Sequence, residues 1–191
     1  MLKQEKKRED PRITRTRRLL HQALLELMME KSFQAITIQD IADRATVNRV
    51  TFYSHFQDKH ALLEYSIREL FKERLQNQLS ETAPFTPENL ASLIHAVCEF
   101  LRDMFRECPA PHGQMDSLME KQIKEVVYER LLSWLEELPY PDNAEQKATI
   151  AAWAIYGAAV QWSQKTKPEP VNDFVRQVLP IIGASLNVQI A

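Results

Sequence analysis

The chain has 191 residues, of which 45% are hydrophobic and 26% are charged, and this composition excludes disordered and fibrous proteins. It contains only three glycines (Gly113, Gly157 and Gly183), too few for the glycine-rich loops that bind phosphates in Walker-type and dinucleotide-binding proteins. Its two cysteines, Cys98 and Cys108, cannot build a framework of several disulfides, which favours a reducing compartment.

No stretch of the sequence predicts a membrane span. The longest uninterrupted apolar run, 150–160, has 11 residues, whereas a spanning helix needs ~20. The apolar stretch that follows the lysine-rich N-terminus contains His21 and Glu26 and has no small-residue cleavage site, unlike a signal peptide. We therefore expect a cytoplasmic protein that has no membrane partner.

The net charge of −2 is distributed unevenly along the chain. Residues 1–80 carry 15 Lys/Arg and 11 Asp/Glu, whereas residues 81–191 carry 9 and 15. A basic N-terminal part followed by an acidic remainder favours a nucleic-acid-binding domain joined to a body with a different task. A solvated, charged tail would give the same asymmetry.

The spacing of apolar residues predicts an all-α fold without strands. The expected helices cover about 12–29, 38–45, 49–56, 59–79, 88–107, 115–138, 142–165 and 171–186, after a mobile basic tail over 1–11. Helix starts are indicated by N-cap residues and, at the fifth helix, by a proline in the first position. These residues are Thr37 with Asp40 three positions later, Asn48, Asp58, and Thr86 before Pro87.

Two of the predicted helices have only about two turns, too few to be stable alone, so residues 12–80 should form one compact unit. A short helix, a three-residue turn and a second polar short helix are the layout of a helix-turn-helix. In the second helix the apolar residues Val47, Phe52 and Phe56 should face inward. The side chains left outside are those of Arg49, Thr51, Tyr53, Ser54 and His55.

The same segment resembles a known family. The pattern Ile38-x-x-Ile-Ala-x-x-Ala45, followed by Val47-Asn-x-x-Thr-Phe-Tyr-x-His-Phe-x-Asp-Lys-x-x-Leu-Leu63, is similar to the DNA-binding domain of TetR-type bacterial transcriptional regulators. The resemblance covers about 12–63, and the remaining chain resembles that family only in its helical layout.

The chain departs from the family pattern at Ser32, Thr46 and Val50, where such proteins commonly have glycine. Thr46 in the turn would cost ~1 kcal/mol if its φ angle is positive. Val50 would lie near the DNA, where it could touch a thymine methyl group.

The resemblance, together with the chemistry of the side chains, implies a set of DNA contacts. Phosphates would be bound by Thr37, Tyr53, His55 and Lys59, with Asn48 at the start of the reading helix. Base edges would be read by Arg49, Val50 and Thr51, and further backbone or minor-groove contacts would come from Arg15, Arg17 and the basic tail. The alternative is that these are ordinary surface residues of a helical domain.

The resemblance also implies an N-terminal three-helix helix-turn-helix domain over 12–63, a connecting helix to about 80, and a helical body over 81–191 for dimerisation and effector binding. The function implied is that of a repressor released from a palindromic operator by a small-molecule effector. As a homodimer, the chain would pair its last two helices in a four-helix bundle across Ala151, Ala152, Gly157, Ala158, Trp162, Phe174, Val178 and Ile182.

An effector pocket would be lined by Val97, Leu101, Met104, Phe105, Met119, Ile123, Val127, Trp134 and Tyr156. The alternative for both sets is that these side chains simply fill the core of one subunit. The excess of acidic residues in the body hints at a cationic effector.

Two rival interpretations are a helical metal-binding protein and a protein-interaction module without DNA binding. His95-x-x-Cys98 and Cys108-x-x-x-His112 offer ligands at plausible spacings. His95 lies on the polar helix face, whereas Cys98 leans towards the apolar stripe, so the pairs diverge and we expect neither a metal nor a cofactor. No nucleophile–base pairing is visible, so we expect no enzymatic activity.

Overall fold

The computed structural model describes residues 10–107, 114–139 and 142–186. These residues form eight α-helices and a 3₁₀ turn at Phe33–Ala35, and contain no strand, which confirms the all-α prediction. The helices are α1 Pro11–Glu30, α2 Ile38–Arg44, α3 Arg49–Tyr53, α4 Lys59–Gln76, α5 Pro87–Glu107, α6 Gln114–Glu136, α7 Ala144–Ser163 and α8 Val171–Ser185. No helix in this part of the chain is both long and apolar enough to cross a membrane.

The chain divides into an N-terminal unit, Met1–Ser66, and a C-terminal unit, Ile67–Ala191. The division falls inside α4, so one continuous helix belongs to both units. The sequence places the end of the first domain at Leu63.

Several predicted helix ends need correction. The side chain of Asp10 caps α1, which begins at Pro11, so the last two residues of the predicted mobile tail are ordered; residues 1–9 lie outside the described part. The second short helix ends at Tyr53 rather than Phe56, because the chain continues from there as hydrogen-bonded turns. The left-handed backbone of Asn143 delays α7 until Ala144, two residues later than expected.

The remaining helix bounds differ from the prediction by up to three residues. The N-caps are confirmed: Asp58 accepts from the Ala61 N–H at 2.8 Å, and Thr86 accepts from the Asn89 N–H at 3.2 Å. Pro87 is the first residue of α5, as predicted.

The N-terminal unit is held by a small apolar core between its short helices. Its fully buried side chains come from α1, α2, α3 and α4: Leu20, Leu24, Ile41, Ala42, Phe52 and Leu62. Arg44 of α2 also forms ion pairs with Glu26 and Glu30 of α1, which raise the pKa of the arginine and lower that of Glu30. Packing and charge together fix α2, whose seven residues could not stay helical alone.

In the C-terminal unit, α7 packs against α5, α6 and α8. A row of small residues on its buried face allows close helix approach: Ala148, Ala151, Ala152 and Ala159 are all at most 1% exposed. The indole N–H of Trp134 on α6 donates to the Ala83 carbonyl at 2.7 Å, so the segment before α5 is fixed as well.

The turn between α2 and α3 contains the strained residue that the sequence indicated. The Thr46 N–H donates to the Asp43 carbonyl and the Val47 N–H to the Ala42 carbonyl, which is the pattern of a Schellman turn. Thr46 occupies the position where glycine is preferred, and its φ angle is 56°. A β-branched side chain in this conformation costs about 1 kcal/mol.

We predict that Thr46→Gly stabilises the N-terminal unit by about 1 kcal/mol, because glycine adopts a positive φ without the steric cost of a Cβ. Urea denaturation of both proteins measures the difference. Thr46→Ala is the matched control, since alanine keeps the Cβ and should give no comparable gain. Equal stabilities of the glycine variant and the original chain would show that the turn carries no strain.

Candidate nucleic-acid interface

One side of α3 is buried and the other is open to solvent. Phe52 is fully buried and Phe56 is 7% exposed, which confirms that these rings face inward. On the opposite side Val50 is 77% exposed and Tyr53 is 49% exposed, and Arg49 is exposed as well. Within the described residues the Arg49 guanidinium forms no hydrogen bond, so its donors are available to a partner.

The start of α3 is fixed by its own side chains. Asn48 Oδ1 accepts from the Thr51 N–H at 2.7 Å and from the Thr51 hydroxyl at 3.0 Å, so the predicted N-cap is confirmed. Because the hydroxyl proton of Thr51 is committed to Asn48, only the methyl group and the oxygen lone pairs of Thr51 can meet a base edge. Thr51 and His55 are half-buried, whereas Asn48 and Ser54 are exposed.

The start of α2 is a closed capping box. The Thr37 hydroxyl accepts from the Asp40 N–H at 3.1 Å, while Asp40 Oδ2 accepts from the Thr37 N–H and the Thr37 hydroxyl, both at 2.8 Å. Lys31 Nζ also binds Asp40 Oδ2 at 2.8 Å. The hydrogen bond from Lys31 has the largest effect on the pKa of this carboxyl, and the two hydrogen bonds from Thr37 come next. Together they hold that pKa well below its usual range. The Thr37 hydroxyl proton is thus committed to Asp40, so the predicted phosphate contact at this capped helix start, which stays a prediction, would have to come from backbone N–H groups.

Lys59 plays a structural role that differs from the predicted phosphate contact. Its ammonium donates to three backbone carbonyls, those of Phe33 at 3.0 Å, Gln34 at 3.0 Å and Ile36 at 2.8 Å. It also lies 4.8 Å from the centroid of the Phe33 ring. An ammonium has three N–H donors, so none remains for a phosphate in this conformation. Lys59 instead ties the start of α4 to the segment between α1 and α2.

The first helix presents an exposed basic surface. Arg15 is exposed, as the predicted contact requires, whereas Arg17 is half-buried and interacts within the protein. Arg12 and Arg18, which the family motif does not include, are exposed as well. Their spacing of three from Arg15 places the three cations along one side of α1 and was visible in the sequence.

Most residues of the predicted dimer contact are buried within one subunit, and the contact itself stays a prediction. Five of its eight residues are at most 6% exposed within one subunit: Ala151, Ala152, Trp162, Phe174 and Ile182. Ala158 and Val178 are half-buried, and Gly157 is exposed. The buried five pack inside the C-terminal unit, where Trp162 stacks on Phe174 with ring centroids 6.0 Å apart.

The exposed apolar surface lies on the other sides of the same helices. Ile150 on α7 is 60% exposed, and Ile181 on α8 is 71% exposed. Ala154 and Gly157 follow Ile150 at helical spacing and are also exposed. Apart from the chain neighbours and the backbone of its own helix, a Cβ at Gly157 would meet no atom of the described residues within 4 Å. We call this surface, made of Ile150, Ala154, Gly157 and Ile181, the α7–α8 face.

The predicted effector pocket remains a prediction. Six of its nine residues are fully or almost fully buried: Val97, Leu101, Met119, Ile123, Val127 and Trp134. Met104, Phe105 and Tyr156 are half-buried. The structure does show a cavity of about 510 Å³ between α6 and α7, but none of the nine lines it.

Of the residues in the metal-site alternative, the structure describes His95 and Cys98. Cys98 is buried, and burial with the nearby Glu99 charge raises the pKa of its thiol to about 12, which opposes the thiolate that a metal requires. His95 Nδ1 lies 3.2 Å from Gln78 Oε1. Among the described residues no three His, Cys, Asp or Glu side chains form a metal-binding group. Cys108 and His112 lie outside the described residues.

Comparison with known sequences confirms the resemblance inferred from the motif. Residues 20–65 match the profile of the family described as "Bacterial regulatory proteins, tetR family". Two curated relatives from Bacillus subtilis (strain 168) are the uncharacterized HTH-type transcriptional regulators YxbF, 32% identical over 83 residues, and YdeS, 34% identical over 71 residues. The matches cover 43% and 37% of this chain but only 22% and 36% of those proteins.

Solved structures share the fold over nearly the whole length. The TetR family repressor AlkX from Dietzia sp. has a TM-score of 0.57 at 19% identity, over 94% of this chain and 98% of its own. The TetR-family repressor FadR from Thermus thermophilus, solved in complex with lauroyl-CoA, has a TM-score of 0.54 at 22% identity. The match covers 92% of this chain and 97% of FadR. At these identities the likeness establishes the fold.

We predict that Lys59→Met destabilises the N-terminal unit by about 2 kcal/mol, because three carbonyl acceptors lose a charged donor. Chemical denaturation monitored by circular dichroism measures the loss. Lys72→Met on the same helix is the matched control, because the Lys72 side chain is 40% exposed and pairs with Glu69 only at 3.7 Å. It should change stability by less than about 0.5 kcal/mol. An unchanged stability with uniformly weaker DNA binding would instead restore Lys59 as a phosphate ligand.

Proposed function

We propose that the chain is a sequence-specific transcriptional regulator that binds a palindromic operator as a homodimer, since residues 20–65 match the profile of the tetR family of bacterial regulatory proteins. The observation that carries the proposal is the two-sided character of α3. Its apolar side is buried, whereas Arg49, Val50 and Tyr53 extend into solvent. An exposed polar side on a short, fixed helix is what the major groove of a duplex accommodates.

The exposed side chains divide into base-reading and phosphate-binding groups. The guanidinium of Arg49 can donate two parallel hydrogen bonds to a guanine, and Val50 offers a methyl surface to a thymine. Tyr53 and His55 would donate to phosphates, and so would the exposed arginines of α1, of which Arg15 is one. Phosphate contacts fix the position of the helix, while base contacts determine the sequence.

A helix of five residues reads only a few base pairs, so one copy of the chain cannot select an operator. Two copies related by a two-fold axis would read two half-sites about one helical turn apart. The α7–α8 face supports this assembly, because exposed isoleucines beside alanine and glycine allow two helix pairs to approach closely.

We also propose that the regulator is a repressor under effector control. A solved neighbour with this fold, FadR from Thermus thermophilus, is described as a repressor in complex with lauroyl-CoA. An effector that prefers one arrangement of the C-terminal unit would shift the population towards it. If the two reading helices of the dimer no longer match the half-site spacing in that arrangement, DNA affinity falls.

Selection of bound sequences from random duplexes tests the proposal. We expect a palindrome whose half-sites lie about one turn of DNA apart. Binding should also weaken steeply as salt increases, because phosphate contacts release counterions. Failure to enrich any sequence at low salt would contradict sequence-specific DNA binding.

We predict that Arg49→Ala relaxes the base preference at one position of each half-site, at a cost of about 1–3 kcal/mol against the selected base. Competition binding with duplexes that differ at single positions measures the preference. Arg18→Ala is the control, since an exposed arginine on α1 should weaken binding to all duplexes equally. An unchanged preference in the Arg49 variant would remove this residue from the reading face.

We predict that Gly157→Leu shifts the chain from dimer to monomer without unfolding it. The added Cβ meets no described residue outside its own helix within 4 Å, but the leucine would obstruct the close approach of a partner helix. Sedimentation measures the assembly, and the thermal midpoint controls for folding. Ile150→Glu should act in the same way, because it places a charge on the α7–α8 face. Intact dimers in both variants would move the contact elsewhere.

A further inference from the structure

A groove of about 510 Å³ lies between α6 and α7, within the volume range of small-molecule sites in proteins. Its walls are both aromatic and charged. Four lining side chains of α6 are charged, Glu120, Lys121, Lys124 and Glu125, and α7 contributes the aromatic ring of Trp153.

The ammonium of Lys124 occupies an aromatic and acidic niche in this groove. Its Nζ atom lies 3.2 Å from the centroid of the Trp153 ring and 5.9 Å from that of Tyr156. The same atom forms an ion pair with Glu120 Oε1 at 2.6 Å, and the lysine side chain is only 13% exposed. An aromatic face together with a carboxylate is the arrangement by which proteins bind organic ammonium ions. The lysine therefore acts as an internal occupant of such a niche.

Further negative charge surrounds the niche. Burial, and then the charges of Glu120 and Asp116, raise the pKa of Tyr156 to about 12. The Oδ1 atom of Asp116 is shielded from solvent and accepts no hydrogen bond within the described residues. A buried carboxylate oxygen without a donor is costly, and a nearby cation compensates for it. Asp116 and Glu120 therefore place negative charge on the side of the niche formed by Tyr156.

We propose that the α6–α7 groove is a binding site for organic ammonium ions, which displace the ammonium of Lys124 from the face of Trp153. The lysine stem is long and flexible, so its charged end can move into the solvent that borders the groove while the ligand takes its place beside Glu120. The indole of Trp153 is 61% exposed, so a ligand reaches it without any opening of the core.

The groove is also connected to the helix shared by the two units. Glu125 is one of its lining residues, and its Oε2 atom lies 3.4 Å from Nη1 of Arg68 on α4. Glu129 pairs with the same arginine, with 2.5 Å between Oε1 and Nη2. A cation that engages Glu125 competes with Arg68 for that carboxylate. On this basis the groove is the effector site of the regulator, a role that rests on the proposed function.

Binding is tested without DNA, by titrating the full chain with choline and following the tryptophan indole resonances by NMR. Trp134 and Trp162 donate their indole N–H groups to the carbonyls of Ala83 and Glu169, so they serve as internal references. We expect a saturable shift confined to Trp153. The neutral isostere 3,3-dimethylbutan-1-ol should cause none, because it has the shape of choline without the charge.

Lys124→Met tests the displacement, since methionine keeps most of the side-chain volume but lacks the charge. We expect choline to bind this variant at least about fivefold more tightly than the original chain, because no ammonium competes for the indole face. Lys147→Met removes the same charge from α7 and should leave the affinity for choline unchanged. In the Lys124→Met background, Glu120→Gln should weaken binding at least about fivefold.

Three results would overturn the proposal: equal binding of choline by the original chain and the Lys124 variant, an equal response to the neutral isostere, or binding only after Lys124 is removed. Because no duplex takes part, these results are independent of whether the chain binds DNA. The effector role is tested separately, by measuring the affinity of the chain for its duplex with and without choline. Choline binding to Trp153 with no change in duplex affinity would contradict that role alone.

Discussion

The N-terminal unit depends on holding two very short helices in place. With seven and five residues, α2 and α3 cannot pay the cost of helix nucleation by themselves. Their positions are set from outside: by the buried faces of α1 and α4, by the Schellman turn at Thr46, and by the three carbonyls gathered around Lys59.

This constraint divides the polar residues of the unit into two groups. Thr37, Asp40 and Lys59 have their donors or acceptors committed to the fold, and the low pKa of the Asp40 carboxyl reflects how strongly it is held. Arg49 and Tyr53, in contrast, extend from a helix that is already fixed. A ligand that meets them does not have to order the helix first, so little binding energy is lost to conformational entropy.

Much of this arrangement could be predicted from the sequence, because it depends on local rules. The capping residues, the inward direction of Phe52 and the penalty at Thr46 all follow from short-range geometry. The role of Lys59 could not be found in this way, since its acceptors lie 23 to 26 residues earlier in the chain. Its position in a family motif indicated a phosphate contact, whereas its neighbours in space assign it to the fold.

The dimer contact shows a second limit of sequence analysis. The central part of α7 is apolar on every side over 150–160, so its pattern has no polar stripe to indicate which face is exposed. Ala151 and Ala152 are buried within the subunit, where α7 packs against its neighbouring helices, while Ile150 and Gly157 are exposed. Only the positions of the neighbouring helices distinguish these faces. The α6–α7 groove was missed for the same reason, because Lys124 and Trp153 meet only across two helices.

Site-specific photo-crosslinking shows whether the outer side of α3 lies against DNA bases. A benzophenone side chain placed at Val50 should crosslink to a base within the half-site of a selected duplex. The same group at Gln161, an exposed position on α7, should give no DNA adduct. Crosslinks from position 161 but not from position 50, on a duplex that the chain binds, would contradict the account.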